Sequence, residues 1–165
     1  MGRMLKLFHG RVASYCPVTG APAGLIGDTS DMTNMMKKFT VQTQQEFQAI
    51  DLTDQIQSMI EPGFTGLCFV LVSHTTVALL VNERDPELGQ DIASLAKVMF
   101  NTWGPYKHNF KGVANAAAHM FSAMGGNCAV LPVVDGQLQL GHWQAFWMIE
   151  MSGPRSRDLW MCCLS

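Results

Sequence analysis

The apolar positions of this 165-residue chain change their period along its length. Over residues 1–35 there is no sustained period, and "CPVTGAPAGLIGDTSD" reads as a flexible extension rich in Gly, Pro, Ser and Thr. From Lys37 the texture changes. "KKFTVQT" and "EFQAIDLT" alternate apolar with polar, as half-buried strands do. "TDQIQSMIEPG" opens at a candidate cap, Thr53, and stops at Pro62-Gly63, which predicts a short helix. "GLCFVLVS" is apolar at successive positions and reads as a central strand covered on both faces, and "VALLVN" is the next strand. Asp85 before Pro86 is a favoured helix start, after which Leu88, Ile92, Leu95 and Met99 recur at helical spacing. Asn115 can cap a second helix, "AAAHMFSAM", ended by Gly125-Gly126. "CAVLPVVDGQLQL" is two strands about Asp135-Gly136, a type I′ turn dipeptide, and "QAFWMIEM" and "DLWMCCL" close the chain as strands.

The two main helices are grouped mid-chain and do not alternate regularly with strands. The expected class is therefore α+β, a single domain over residues 36–165 with a largely antiparallel sheet or sandwich. Hydrophobic residues make up 48% and charged residues 15%, a globular balance. A net charge of −2 gives no electrostatic case for nucleic acid or an anionic membrane. No apolar run approaches the roughly 20 residues of a membrane helix, and "MGRMLKLFHG" lacks the apolar core of a signal peptide. Five cysteines without a CxxC or Cys/His zinc spacing suit a reducing, cytoplasmic setting.

The candidate chemistry lies at predicted element ends. "SHTT" places His74, Thr75 and Thr76 just after a strand, where hydroxyls and backbone amides can face an anion. Glu83 follows the next strand and Asp91 lies in the first turns of the long helix, so both are candidate acid–base groups, whereas Asp85 has a structural task as a cap. His119 lies at the start of the second helix, where the helix dipole favours the neutral imidazole that metal ligation or proton acceptance needs, and the free amides there suit an anion. His108 sits in the polar loop "YKHNF". Each histidine alone also fits a purely structural role. Arg155 and Arg157 in "SGPRSRD" alternate as strand neighbours that point to one side, which suits phosphate and equally suits a solvated strand edge. Trp143 and Gln144 open a strand after Gly141.

Taken together, "FVLVSHTTVALLVNERDPELGQDI", "YKHNF", "NAAAHM", "LPVVDGQLQLGHWQAFWMIE" and "GPRSRD" resemble the YjbQ-like family, whose members are often described as secondary thiamine-phosphate synthases. The resemblance runs from about Lys37 to near the C-terminus. Carried over, its motifs fall on His74, Thr75 and Thr76; on Asn82, Glu83 and Asp91; on His108, Asn109, Asn115 and His119; on Gly141, Trp143 and Gln144; and on Gly153, Pro154, Arg155 and Arg157. The chain departs from the family pattern at Ala114, where an acidic residue is usual, and at His142, where a small hydroxyl residue is usual.

The resemblance implies a compact α+β subunit that forms a homotrimer. It also implies a transferase joining a hydroxymethylpyrimidine diphosphate to a thiazole phosphate. In that reading His74, Glu83, Asp91 and His119 are catalytic; Thr75, Thr76, Asn115, Gln144, Arg155 and Arg157 hold the phosphorylated metabolite. His74, His108 and His119 would ligate a divalent metal, zinc or magnesium, with nitrogen ligands favouring zinc, and no organic cofactor is expected. Two other classes stand beside it: a metal-dependent hydrolase using the same histidines, and a non-catalytic protein that binds a phosphorylated metabolite. The homotrimer is further expected to bury Phe146, Trp147 and Trp160 between copies.

Overall fold

The structure, a computed structural model, describes residues 36–102, 104–108 and 115–165. The extension 1–35 and the motif positions Asn109 and Ala114 lie outside the described residues. Among the described residues, eight strands and three helices follow in the order β1 (Met36–Gln42), β2 (Gln48–Asp51), α1 (Thr53–Met59), β3 (Gly66–Val72), β4 (Val77–Glu83), α2 (Pro86–Thr102), α3 (Ala116–Gly125), β5 (Cys128–Val134), β6 (Gln137–Leu138), β7 (Gln144–Glu150) and β8 (Ser156–Leu164).

Every strand pair is antiparallel, in a five-stranded sheet of order β1-β8-β3-β5-β6 and a three-stranded sheet of order β2-β7-β4. The inner faces of the two sheets form the main core. Val70, Val72, Leu131, Leu159 and Met161 from the first sheet meet Val77, Leu79, Phe146 and Met148 from the second, with Leu52 and Ile56 closing one side. The other face of the three-stranded sheet is covered by α2 and α3 through Ala78, Ala96, Ala118, Ala145, Trp147 and Ile149. The molecule is thus a sandwich with helices on one outer face, the α+β architecture the pattern predicts.

The strand buried on both faces is β7, whose residues from Ala145 to Glu150 are all buried. The apolar run of β3 has a different explanation. Cys68, Val70 and Val72 face the core while Leu67 is 47% exposed, so β3 is central in its sheet but bare on its outer face. In register with β5 and β8, that face carries Leu67, Phe69 and Leu71 beside Val130, Pro132, Trp160, Cys162 and Leu164. It follows that Phe146 and Trp147, at 0% and 5% exposure, cannot be the residues that meet another copy, whereas the other sheet exposes Leu67, Val130 and Leu164.

Local chemistry explains most element boundaries. Asp85 caps α2 by accepting the Glu87 amide at 2.9 Å. Asp135 (φ 49°) and Gly136 (φ 76°) both take the left-handed conformation that a type I′ turn requires. Thr53 is not the cap of α1. Leu52 occupies that position, and the Thr53 hydroxyl instead accepts the Phe146 amide at 2.8 Å, tying α1 to β7.

Candidate functional site

Two turns and a helix start are brought together at one end of the sandwich. The turn between β3 and β4 carries His74, Thr75 and Thr76. Its position is set from β8: the Ser73 amide donates to the Asp158 carbonyl at 3.0 Å, and the Asp158 amide donates to His74 Nε2 at 2.9 Å. Helix α3 is drawn against β4 by the Ser122 hydroxyl on the Val77 carbonyl at 2.7 Å, and Gly125 lies so close to Ala78 that an added Cβ would meet its side chain at 2.9 Å. His119, one turn before Ser122, and Asn115, one turn earlier again, are therefore carried toward the Thr75-Thr76 turn. The loop after β7 supplies Ser152 and Arg155. It is pinned by the Arg155 amide on Thr43 Oγ1 at 2.8 Å and by the Gly153 amide on the Glu46 carbonyl at 3.1 Å.

The result is a cavity of about 310 Å³ lined by Ser73, His74, Thr75, Thr76, Asn115, His119, Ser152, Arg155 and Arg157. Seven of the residues singled out from the sequence meet here. Glu83, Asp91 and Gln144 do not line the cavity. Glu83 and Gln144 are paired across the strands at the far end of β4, about 20 Å away along that strand, and Asp91 is exposed on α2. His108 lies edge-on to His119, with ring centroids 5.0 Å apart.

The two arginines have different surroundings. Arg157 is 3% exposed and clamped to Glu150, through Nε to Oε2 at 2.6 Å and Nη2 to Oε1 at 2.5 Å. Its Nη2 also donates to Thr76 Oγ1 at 3.0 Å, which leaves the Thr76 proton to donate elsewhere. Glu150, fully buried, further accepts the amides of Met151 and Ser152. Arg155 is exposed, gives Nε to the Ser152 carbonyl at 2.6 Å, and has no carboxylate partner among the described residues. Among the described residues, Arg155 and Arg157 counted against Glu150 leave the cavity one net positive charge, and that charge belongs to Arg155.

Burial holds the His74 imidazole below its usual range, the Arg157 charge adds to this, and Asp158 and Glu150 oppose it. Because Nε2 accepts the Asp158 amide, the neutral ring carries its proton on Nδ1, which is a donor there. Asn115 occupies the cap position of α3, yet its side chain makes no cap hydrogen bond, and Oδ1 is buried without a partner among the described residues. A buried amide oxygen left unpaired carries a desolvation cost, which a ligand donor in the cavity would remove.

The donor set does not make a three-imidazole metal centre. Among the described residues no group of three His, Cys, Asp or Glu side chains is close enough to hold an ion. One nitrogen of His74 is already an acceptor, and Glu150 is committed to Arg157. Glu150 is not singled out by the sequence pattern. A lone acid in "WMIEM" signals a buried carboxylate in need of a cation, and Arg157 is that cation.

A family model described as "UPF0047 protein YjbQ-like" matches residues 37–165. A UPF0047 protein of Archaeoglobus fulgidus is 37% identical over 120 residues, covering 73% of this chain and 94% of that protein. UPF0047 protein YugU of Bacillus subtilis is 30% identical over 132 residues, covering 77% and 97%. Among solved structures, a hypothetical protein from Aeropyrum pernix K1 superposes with a TM-score of 0.73 at 38% identity, covering 79% of this chain and 98% of that one. A YbjQ-like protein of unknown function from Sulfolobus solfataricus P2 gives 0.68 at 31%, covering 76% and 93%.

Proposed function

The chain belongs to the UPF0047 YjbQ-like family, and on that premise we propose that the cavity at Arg155 binds the phosphate or diphosphate of a small metabolite and that the protein is a transferase of the thiamine-phosphate synthase kind. The observation that carries the phosphate reading is the division of labour between the arginines: Arg157 is neutralised by Glu150, while Arg155 has no carboxylate partner among the described residues and stands beside the hydroxyls of Ser73, Thr75 and Thr76. Arg is suited to phosphate because its planar fork matches two oxygens at once.

In the transfer itself the thiazole ring nitrogen attacks the methylene carbon of the pyrimidine diphosphate. The carbon–oxygen bond to the diphosphate breaks, and its electron pair leaves with pyrophosphate. Arg155 would stabilise that growing charge, with Nδ1–H of His74 and the hydroxyls of Thr75 and Thr76 as further donors. Asn115 Oδ1 would accept from a donor on the organic part of the ligand. The work of such a site is positioning and charge stabilisation. The close pair His108–His119 is what favours a second reading, a metal-dependent hydrolase.

The assembly that goes with this reading is a homotrimer whose copies cover the bare outer face of the five-stranded sheet. The experiment is turnover of the pyrimidine diphosphate and thiazole phosphate, run beside generic phosphoesters and a metal analysis of the purified protein. Condensation with release of pyrophosphate supports the transferase. Phosphoester hydrolysis tracking a stoichiometric bound metal supports the hydrolase, and tight binding without turnover supports a sensor of phosphorylated metabolites.

A further inference from the structure

Four cysteines lie among the described residues, all as free thiols, and their placement in the five-stranded sheet is uneven. Cys68 on β3 and Cys163 on β8 are direct cross-strand partners. Neighbouring residues of a strand point to opposite faces, so Cys162 stands on the outer face, in register with Phe69 and Met36, while Cys163 turns to the core side with Cys68. Cys128 is exposed and in register with Leu71, so it has no cysteine opposite it. Cys68 is fully buried and Cys163 is half-buried.

We propose that Cys68 and Cys163 are a modification site, closing to an intrachain disulfide when a disulfide-class oxidant such as oxidised glutathione is present. Directly opposed residues of an antiparallel pair have Cα atoms about 4.5–5.5 Å apart, within the roughly 4.4–6.8 Å that a disulfide spans. The backbone therefore need not move.

Cys163 is the accessible member and reacts first. Its thiolate attacks one sulfur of glutathione disulfide, which forms a mixed disulfide and releases one glutathione thiolate. The Cys68 sulfur then attacks Cys163 Sγ and displaces the second. Two protein thiols are oxidised, one glutathione disulfide is reduced to two thiols, and the two protein protons pass to the departing thiolates. Burial holds both protein thiols in the protonated form, Cys68 up to about 12 and Cys163 above its ordinary value. The thiolate is the attacking species, so closure is slow near neutrality and accelerates as pH rises.

The bond would close a loop between residues 68 and 163, a span of 95 positions, which constrains the unfolded chain strongly. It would lie about 13 Å along β3 from the end that carries His74, and the phosphate cavity would be untouched. The test uses the full chain with Cys16, Cys128 and Cys162 changed to Ser, so that only the pair remains. Treated with glutathione disulfide at pH 8.5, it is expected to lose both thiols, to yield a Cys68–Cys163 linked peptide by non-reducing mass mapping, and to melt several degrees higher, reversibly with dithiothreitol. The same chain with Cys163→Ser is expected to show neither the link nor the shift. A glutathione adduct on Cys163 that never resolves, or two thiols intact after a day at that pH, would overturn the proposal.

Discussion

The backbone amide of Asp158 donates to Nε2 of His74 across 2.9 Å, so a strand amide fixes the tautomer of the imidazole that lines the cavity. The same contact joins the turn after β3 to β8. It is a neutral-imidazole contact, because a protonated Nε2 has no lone pair with which to accept.

His74 is held below its ordinary value, first by burial and then by the Arg157 charge. A proton that binds the unfolded chain more tightly than the folded one lowers stability as pH falls. The His74 contribution is complete above the unfolded value of about 6.5 and is lost as pH falls below it. The urea midpoint is expected to drop between pH 7.5 and 5.5, and His74→Gln to flatten that drop. An imidazole titrating at or above 6.5 by NMR would contradict it.

Glu150 is expected to matter for stability more than any other acid in the chain. Removing one member of a buried ion pair leaves the other charged and unpaired, at a cost of about 3–5 kcal/mol. Glu150→Ala strands Arg157 and also leaves the Met151 and Ser152 amides without their acceptor. Chemical denaturation should show a loss of that size. The paired change Glu150→Leu with Arg157→Met should recover a large part of it.

Self-association is expected to depend on the outer face of the five-stranded sheet. Val130 is 56% and Leu67 is 47% exposed in a single chain, on neighbouring strands. Light scattering at micromolar concentration should give the mass of three copies, and Val130→Lys with Leu67→Lys should reduce it toward one. A monomer mass for the unaltered chain would contradict this.

Much of the fold is legible in the chain because its signals are local. Asp85-Pro86 and Asp135-Gly136 specify a helix start and a turn through their own backbone chemistry, and both are where the pattern puts them. What is not legible is which face of an apolar strand is covered. β3 and β7 read alike as apolar runs, yet β3 is bare on one side while β7 lies between a sheet and the helices; only the layering decides this. The candidate site divides along the same line. His74, Thr76, Asn115 and His119 are joined by the β4–α3 packing, whereas Glu83 and Gln144 end the same strand pair on the opposite side. Strand spacing can show that Arg155 and Arg157 are close, but not that Glu150, seven residues before Arg157, takes one of the two charges.

In the proposed phosphate-binding cavity, Arg155 supplies the free charge. Calorimetric titration with inorganic pyrophosphate, on the unaltered chain and on Arg155→Ala, tests it most directly. Saturable binding is expected, falling at least about tenfold in the variant, equivalent to about 1.4 kcal/mol, while the urea midpoint stays within about 0.5 kcal/mol of the parent, as for an exposed side chain. Equal binding by both proteins, or no binding by the unaltered chain at millimolar pyrophosphate, would contradict it.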